Sequence, residues 1–199
     1  MSVLKKLLVV FMLLLITVFS YGNTKNYEVK AGEVELEIKT EMFGMKNDIK
    51  SIIYFDNFGE IEASRMITNG DYLGIAENLD LTNLKIGNKN YLLNNLTKTY
   101  SYLGEEEYEE EEYDFEDYKK LAKEKILGKE CDVLYLEDSE EEGIFQHKIW
   151  LWKGLILKSE SLMEAEGFKM LTNIIATKIN IGNINKSYFE IPKDYKEEQ

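Results

Sequence analysis

The chain carries a single histidine, His147, and a single cysteine, Cys131. Any nucleophile–base pair must therefore use that one imidazole. The two residues fall on apolar segments, Cys131–Leu136 and Ile144–Trp152, that read as strands paired across an acidic turn. A hairpin turning at Glu140–Glu141 puts Cys131 opposite Trp150 and His147 opposite Leu134. Cys131 and His147 are then three residues apart along the sheet, about 10 Å at ~3.3 Å per residue, with side chains on opposite faces. A dyad needs about 3 Å. His147 accordingly reads as a surface or rim residue and Cys131 as a small buried hydrophobe. No phosphate-binding glycine loop or dinucleotide fingerprint occurs. Carboxylate pairs have no weight in a chain with 37 acids. The sequence predicts a protein that is not an enzyme, with no catalytic residue and no cofactor.

One histidine and one cysteine cannot furnish a transition-metal cluster, so no metal site is expected from them. The acids are a different matter. Glu105–Asp117 (EEEYEEEEYDFED) holds ten carboxylates and no base. Such a run can bind calcium weakly. The plainer reading is a solvated loop or a helix start, where the helix dipole favours negative charge. A second acidic stretch, Asp138–Gly143, looks like the opening of an EF-hand loop. Its twelfth position is Ile149 instead of a bidentate glutamate, and a strand follows, so it reads as a turn. The full chain has a net charge of −13, which argues against nucleic acid or an anionic lipid surface as a partner.

The elements that must position these residues are mostly strands. Val34, Leu36 and Ile38 alternate with Glu33, Glu35, Glu37 and Lys39, a period of two with one buried and one wet face. Ile52–Phe55 and Ile61–Met66 flank Asp56-Asn57-Phe58-Gly59, a hairpin-turn sequence. Asn90–Leu93 and Lys98–Leu103 flank Asn94–Thr97, and Leu155–Met163 and Phe168–Ile181 flank Glu164–Gly167. About nine strands in sequential hairpins give an antiparallel meander, which must curl, pack on a second layer or close. One helix is expected. Phe115, Tyr118, Leu121, Ala122 and Ile126 recur at helical spacing, and Gly128 sits where a C-terminal cap belongs. The expected fold is mainly β with one main helix, a curved antiparallel sheet with that helix as a lid over its concave side.

The N-terminus gives an address. Met1–Gly22 has a basic start (Lys5, Lys6), an apolar run from Leu7 to Phe19, and small residues at the two positions that a signal peptidase reads, in Ser20-Tyr21-Gly22. About 13 apolar residues are too few for the ~20 that span a bilayer, so the segment reads as a cleaved secretory signal. No cysteine follows it to carry a lipid. Residues 23–199 then form one domain, with an acidic segment and lid helix at 105–127, in a protein that is periplasmic or secreted and not integral to a membrane.

One stretch breaks the alternation. In IFQHKIWLWKGLILKSES, Ile144–Ser161, the strand alternates as far as Lys148, and then Ile149–Trp152 is apolar on both faces. Something must cover the second face, a helix of the same chain or a bound apolar partner.

Four short segments stand in a distinctive order: Ile53–Gly59 (IYFDNFG), Ile126–Val133 (ILGKECDV), Ile149–Ser159 (IWLWKGLILKS) and Phe189–Pro192 (FEIP). That order resembles the LolA-like superfamily of periplasmic lipoprotein carriers and their uncharacterised relatives. The resemblance implies an unclosed β-barrel whose concave face, lidded by helices, forms an apolar cavity that shelters the acyl chains of lipids or lipoproteins. In that picture Phe145, Ile149, Trp150, Leu151 and Trp152 line the cavity together with Val34, Leu36, Ile38, Ile52 and Tyr54. Two departures favour the uncharacterised branches: Tyr27–Lys39 reads as strand where the carriers have an amphipathic helix, and the acidic run is an insertion. The function implied is non-catalytic binding of a hydrophobic ligand. The alternative is a cell-envelope interaction or sensory module with a filled core, a protein partner and no small ligand.

Overall fold

The computed structural model describes residues 27–198 except 43, 69–70, 73–74, 77, 106–114 and 141–142. The expected signal segment, and most of the acidic run, lie outside the described residues. The strands are β1 (Gly32–Met42), β2 (Met45–Asp56), β3 (Ile61–Thr68), β4 (Asp71–Tyr72), β5 (Ile75–Ala76), β6 (Leu79–Ile86), β7 (Lys89–Asn94), β8 (Thr99–Glu105), β9 (Lys119–Ile126), β10 (Lys129–Glu140), β11 (Gly143–Trp152), β12 (Leu155–Ala165), β13 (Phe168–Ile181) and β14 (Lys196–Glu197). Twelve of them form one unclosed sheet in the order β14-β8-β7-β6-β3-β2-β1-β13-β12-β11-β10-β9, while β4 and β5 pair with each other. Neighbours in the large sheet are antiparallel apart from the parallel β14–β8 pair.

The sheet cannot be flat. Laid out, ten spacings of about 4.8 Å would separate β8 from β9 by about 48 Å. The chain leaves β8 beside Lys89 and enters β9 beside Tyr135, at opposite ends of the strands. That offset of some seven residues adds about 23 Å along the strands and makes a diagonal of about 53 Å. The fourteen Cα steps from Glu105 to Lys119 reach at most about 50 Å. The two edges must curl toward each other, as the meander pattern requires.

The lid helix is corrected. Among the described residues there is no α-helix: Phe115–Tyr118 is a turn and Lys119–Ile126 is strand β9, paired with β10. Leu121, Ala122 and Ile126 therefore lie on an edge strand, with Leu121 opposite Val133. Gly128 is not a helix cap. Leu127 (φ 50°) and Gly128 (φ 74°) are the two central residues of a β9–β10 hairpin turn, both in the left-handed region that such a turn demands. Lys153 (φ 52°) and Gly154 (φ 81°) repeat the arrangement between β11 and β12. No helix among the described residues is long and apolar enough to cross a membrane.

Two cores occupy the two faces. The face that carries Val34, Leu36, Ile38, Ile49, Ile53 and Phe55, here the inner face, holds the larger one. Residues 27–31 close it at one end. Their backbone bonds the β2–β3 turn (Tyr27 N to Phe58 O, 3.0 Å), the β11–β12 turn (Glu28 N to Lys153 O, 3.1 Å) and Gly182 (N to Ala31 O, 3.0 Å). Tyr27 packs its ring edge-on against Phe55 and donates its hydroxyl to buried Glu62 at 2.7 Å. On the outer face a smaller core of Tyr54, Ala63, Leu84 and Leu93 is covered by the C-terminal segment through Phe189. That segment is fastened by stacking of Tyr54 on Tyr188 at 3.9 Å, by a Tyr195 hydroxyl bond to Asn95 (2.8 Å) and by β14 along β8. Arg65 forks onto Asp80 at 2.8 and 2.6 Å beneath Asn95, and this holds the Asp80 carboxyl below the usual carboxylate range.

Candidate functional site

Strand register assembles the inner face in rows. At the end away from residues 27–31, Met45, Met42, Met170, Met163 and Phe145 stand side by side on β2, β1, β13, β12 and β11. Two residues further in runs a polar row, Asn47, Thr40, Thr172, Ser161 and His147. Behind it is an apolar row of Thr68, Ile49, Ile38, Ile174, Ser159, Ile149 and Leu134. The apolar row is buried throughout, whereas Met45 and Met163 in the outermost row keep 39% and 40% of their surface exposed. Methionine is flexible and polarizable, which suits an adaptable apolar surface.

The ten residues expected to share a cavity divide. Val34, Leu36 and Ile38 lie on the inner face, the first two packed within the main core toward the closed end. Ile149 and Phe145 join them in the inner rows. Ile52 and Tyr54 do not: they face outward, and Tyr54 belongs to the core under the C-terminal segment. Burial raises its phenol to about 12. Trp150 is 1% exposed and packs in the main core with Cys131, Val133 and Leu155. Lysines flank its ring, with Lys158 Nζ 4.1 Å and Lys148 Nζ 4.4 Å from the centroid, and Nε1 donates to Glu124 at 2.9 Å. That bond, foremost, holds the Glu124 carboxyl below its ordinary value. Trp152 is half-buried under Lys129 and Lys153, and half-buried Leu151 pairs with Ile156. The lost alternation thus has a local cause. A β-bulge at Trp150/Leu151 shifts the register, and core side chains and lysine stems cover what it exposes.

His147 is not a rim residue. Its Nδ1 lies 2.7 Å from the Tyr118 hydroxyl and its Nε2 3.0 Å from Ser159 Oγ, and burial lowers its pKa. Phe115 packs edge-on against Tyr118, so these two expected lid residues do roof the His147 end of the inner face, as a turn. The Ser159–His147 contact was not legible in the sequence, because the two lie diagonally across β11–β12. A phenol occupies the place where Ser–His chemistry needs an orienting carboxylate, and Ser159 is buried. Cys131 is further from His147 than expected. His147 pairs with Leu136, five residues along β10 from Cys131, about 16 Å at ~3.3 Å per residue. Burial pushes the Cys131 thiol pKa up. Among the described residues no group of three His, Cys, Asp or Glu could hold a metal ion. A depression of about 280 Å³ lies between β1, β2 and β3, lined by Glu37, Lys39, Asp48 and Lys50 together with Ile38, Ile49 and Ile67.

No family model matches the chain, and no curated protein matches it. Solved structures do. An uncharacterized conserved protein from Thermus thermophilus aligns over 85% of this chain and 90% of its own, at 10% identity and a TM-score of 0.54. MucB, in the complex structure of Pseudomonas aeruginosa MucA/MucB, aligns over 85% of this chain at 13% identity and a TM-score of 0.50. The fold is shared with these solved structures. The likeness to MucB spans 58% of that chain. At such identities the agreement concerns the fold alone. Among its described residues this chain has a turn and a lysine-rich edge strand where a helical lid was expected.

Proposed function

We propose that the protein is an exported, non-catalytic binding protein, which takes a hydrophobic ligand at the open end of the inner face. The ligand is a lipid or the acyl chain of a lipoprotein. The observation that carries this reading is the cross-strand row of four methionines and Phe145, partly exposed at both ends. Of the residues first expected in a cavity, Phe145 belongs to this row, and buried Ile38 and Ile149 lie two rows further in on the same face. An acyl chain moved there from water gains about 0.8 kcal/mol per buried methylene, so partial burial suffices for useful affinity. Export rests on Met1–Gly22 acting as a cleaved signal, checked by the N-terminal mass of the exported product. The test of binding is lipid extraction and mass spectrometry of purified protein, followed by uptake of fluorescent fatty acyl probes by the delipidated form. Absence of both co-purified lipid and saturable uptake rejects the reading.

A second reading is an envelope interaction module. The tightly packed closed end favours it, as does the fold shared with MucB, whose structure is that of a complex with MucA. A specific protein partner whose capture survives Met42→Lys and Met170→Lys would favour this alternative.

A further inference from the structure

The hydroxyls of Thr40 and Thr172 are a second feature of the same face. The two residues are direct cross-strand partners on β1 and β13, 4% and 5% exposed, and neither Oγ1 has a hydrogen-bond partner. Buried hydroxyls normally find one, because leaving the donor dry is costly. They stand between the methionine row and the isoleucine row, one row in from the proposed ligand site. Directly opposed residues bring their Cβ atoms to within about 4.5–5.5 Å. A single carbonyl oxygen, with two lone pairs, can accept from both hydroxyls at once.

The surroundings define the charge of that acceptor. The inner-face rows hold Asn47, Ser161 and His147 beside the two threonines and carry no lysine or arginine. Lys39, Lys46 and Lys169 occupy alternate positions that face outward. His147 is held toward its neutral form and bonded on both ring nitrogens. A carboxylate brought here would be a buried charge without a counter-ion in a chain of net charge −13. A neutral ester carbonyl has no such cost.

We infer that the Thr40–Thr172 pair is a carbonyl subsite, which makes the inner face selective for an ester-linked acyl chain over the free fatty acid. The inference rests on the hydrophobic-ligand reading above and adds the linkage chemistry and the two residues that read it. Delipidated protein is titrated with 1-monooleoylglycerol and, separately, with oleate, both by displacement of a fluorescent acyl probe. The ester is expected to bind at least tenfold more tightly. Each hydroxyl, as one hydrogen bond, accounts for about three- to tenfold. In T40V/T172V the preference collapses because ester affinity falls, while T40S/T172S, which keeps both hydroxyls, retains it. Equal affinity for ester and acid, or a preference that persists in T40V/T172V, overturns the subsite and leaves the hydrophobic-ligand reading standing. If neither probe binds, that reading falls and the subsite with it. Should the valine variant not fold, the single T40V and T172V variants are read in the same way.

Discussion

Replacing Tyr27 with phenylalanine isolates the bond that fastens the closed end of the inner face. The ring stays against Phe55, 4.7 Å centroid to centroid, so apolar burial is unchanged and only the hydroxyl is lost. That hydroxyl donates to Glu62 at 2.7 Å across 35 residues of sequence, and both groups are buried. A hydrogen bond to a charged acceptor contributes about 1.5–3 kcal/mol. For a domain of this length each kcal/mol moves Tm by about 2–4 °C, so Tyr27→Phe should lower Tm by roughly 3–12 °C. With urea slopes of about 1–3 kcal/mol/M the midpoint should fall by about 1 M. The control is Tyr135→Phe, whose hydroxyl bonds Glu137 at 2.5 Å in an exposed position; it should stay within about 0.5 kcal/mol. Burial, the largest cause, together with Glu62 also raises the Tyr27 phenol well above 10.0. Its contribution is therefore full below pH 10 and lost as the pH rises toward the folded value, a loss that Tyr27→Phe should not show. Equilibrium unfolding in urea across pH measures both. Equal, negligible effects of the two substitutions would refute the view that residues 27–31 are anchored there.

Three further outcomes follow from the geometry. Trp150→Phe should destabilise by about 2–3 kcal/mol through the space left in the core, and Trp152→Phe by about 1 kcal/mol, since Trp152 is only half-buried; paired denaturation curves compare them. Burial depresses the His147 pKa, so its stabilising effect is complete above 6.5 and is lost as pH falls below that value. Thermal melts of His147→Gln should show a flatter acid limb than the parent. Phe189→Ala should cost about 3 kcal/mol and release the C-terminal segment, seen as faster amide exchange at Lys196 and Glu198, which bond Lys98 and Tyr100.

Much of the sheet was legible because hairpin chemistry is local. Asp56–Gly59 and Lys153–Gly154 each bring a glycine to a left-handed turn position (Gly59 φ 94°, Gly154 φ 81°), and the alternation at Val34–Ile38 states which side is buried. The β10–β11 register was displaced by two, since Glu140 pairs with Gly143. A shift of two preserves the faces, so the separation of Cys131 from His147 survived it. The lid helix failed for a physical reason. Lys119–Ile126 (KKLAKEKI) is made of good helix formers, yet it lies on an edge strand whose hydrogen bonds to β10 decide its conformation, and whose lysines blunt the free edge. A glycine after an apolar run marks a helix end or a hairpin turn equally well, and Gly128 took the second. The inner rows were out of reach, because Met42, Met45, Met163 and Met170 meet only through the register of four strands.

The central claim is that the methionine row receives a hydrophobic ligand, and charge in that row tests it most directly. Titration of a fluorescent acyl probe into delipidated wild-type protein and into Met170→Lys, with folding of both checked by circular dichroism, measures it. Saturable binding by the wild type, lost in the folded variant, is the predicted result. Binding that is unchanged by the lysine, or absent from the wild type, would contradict the account.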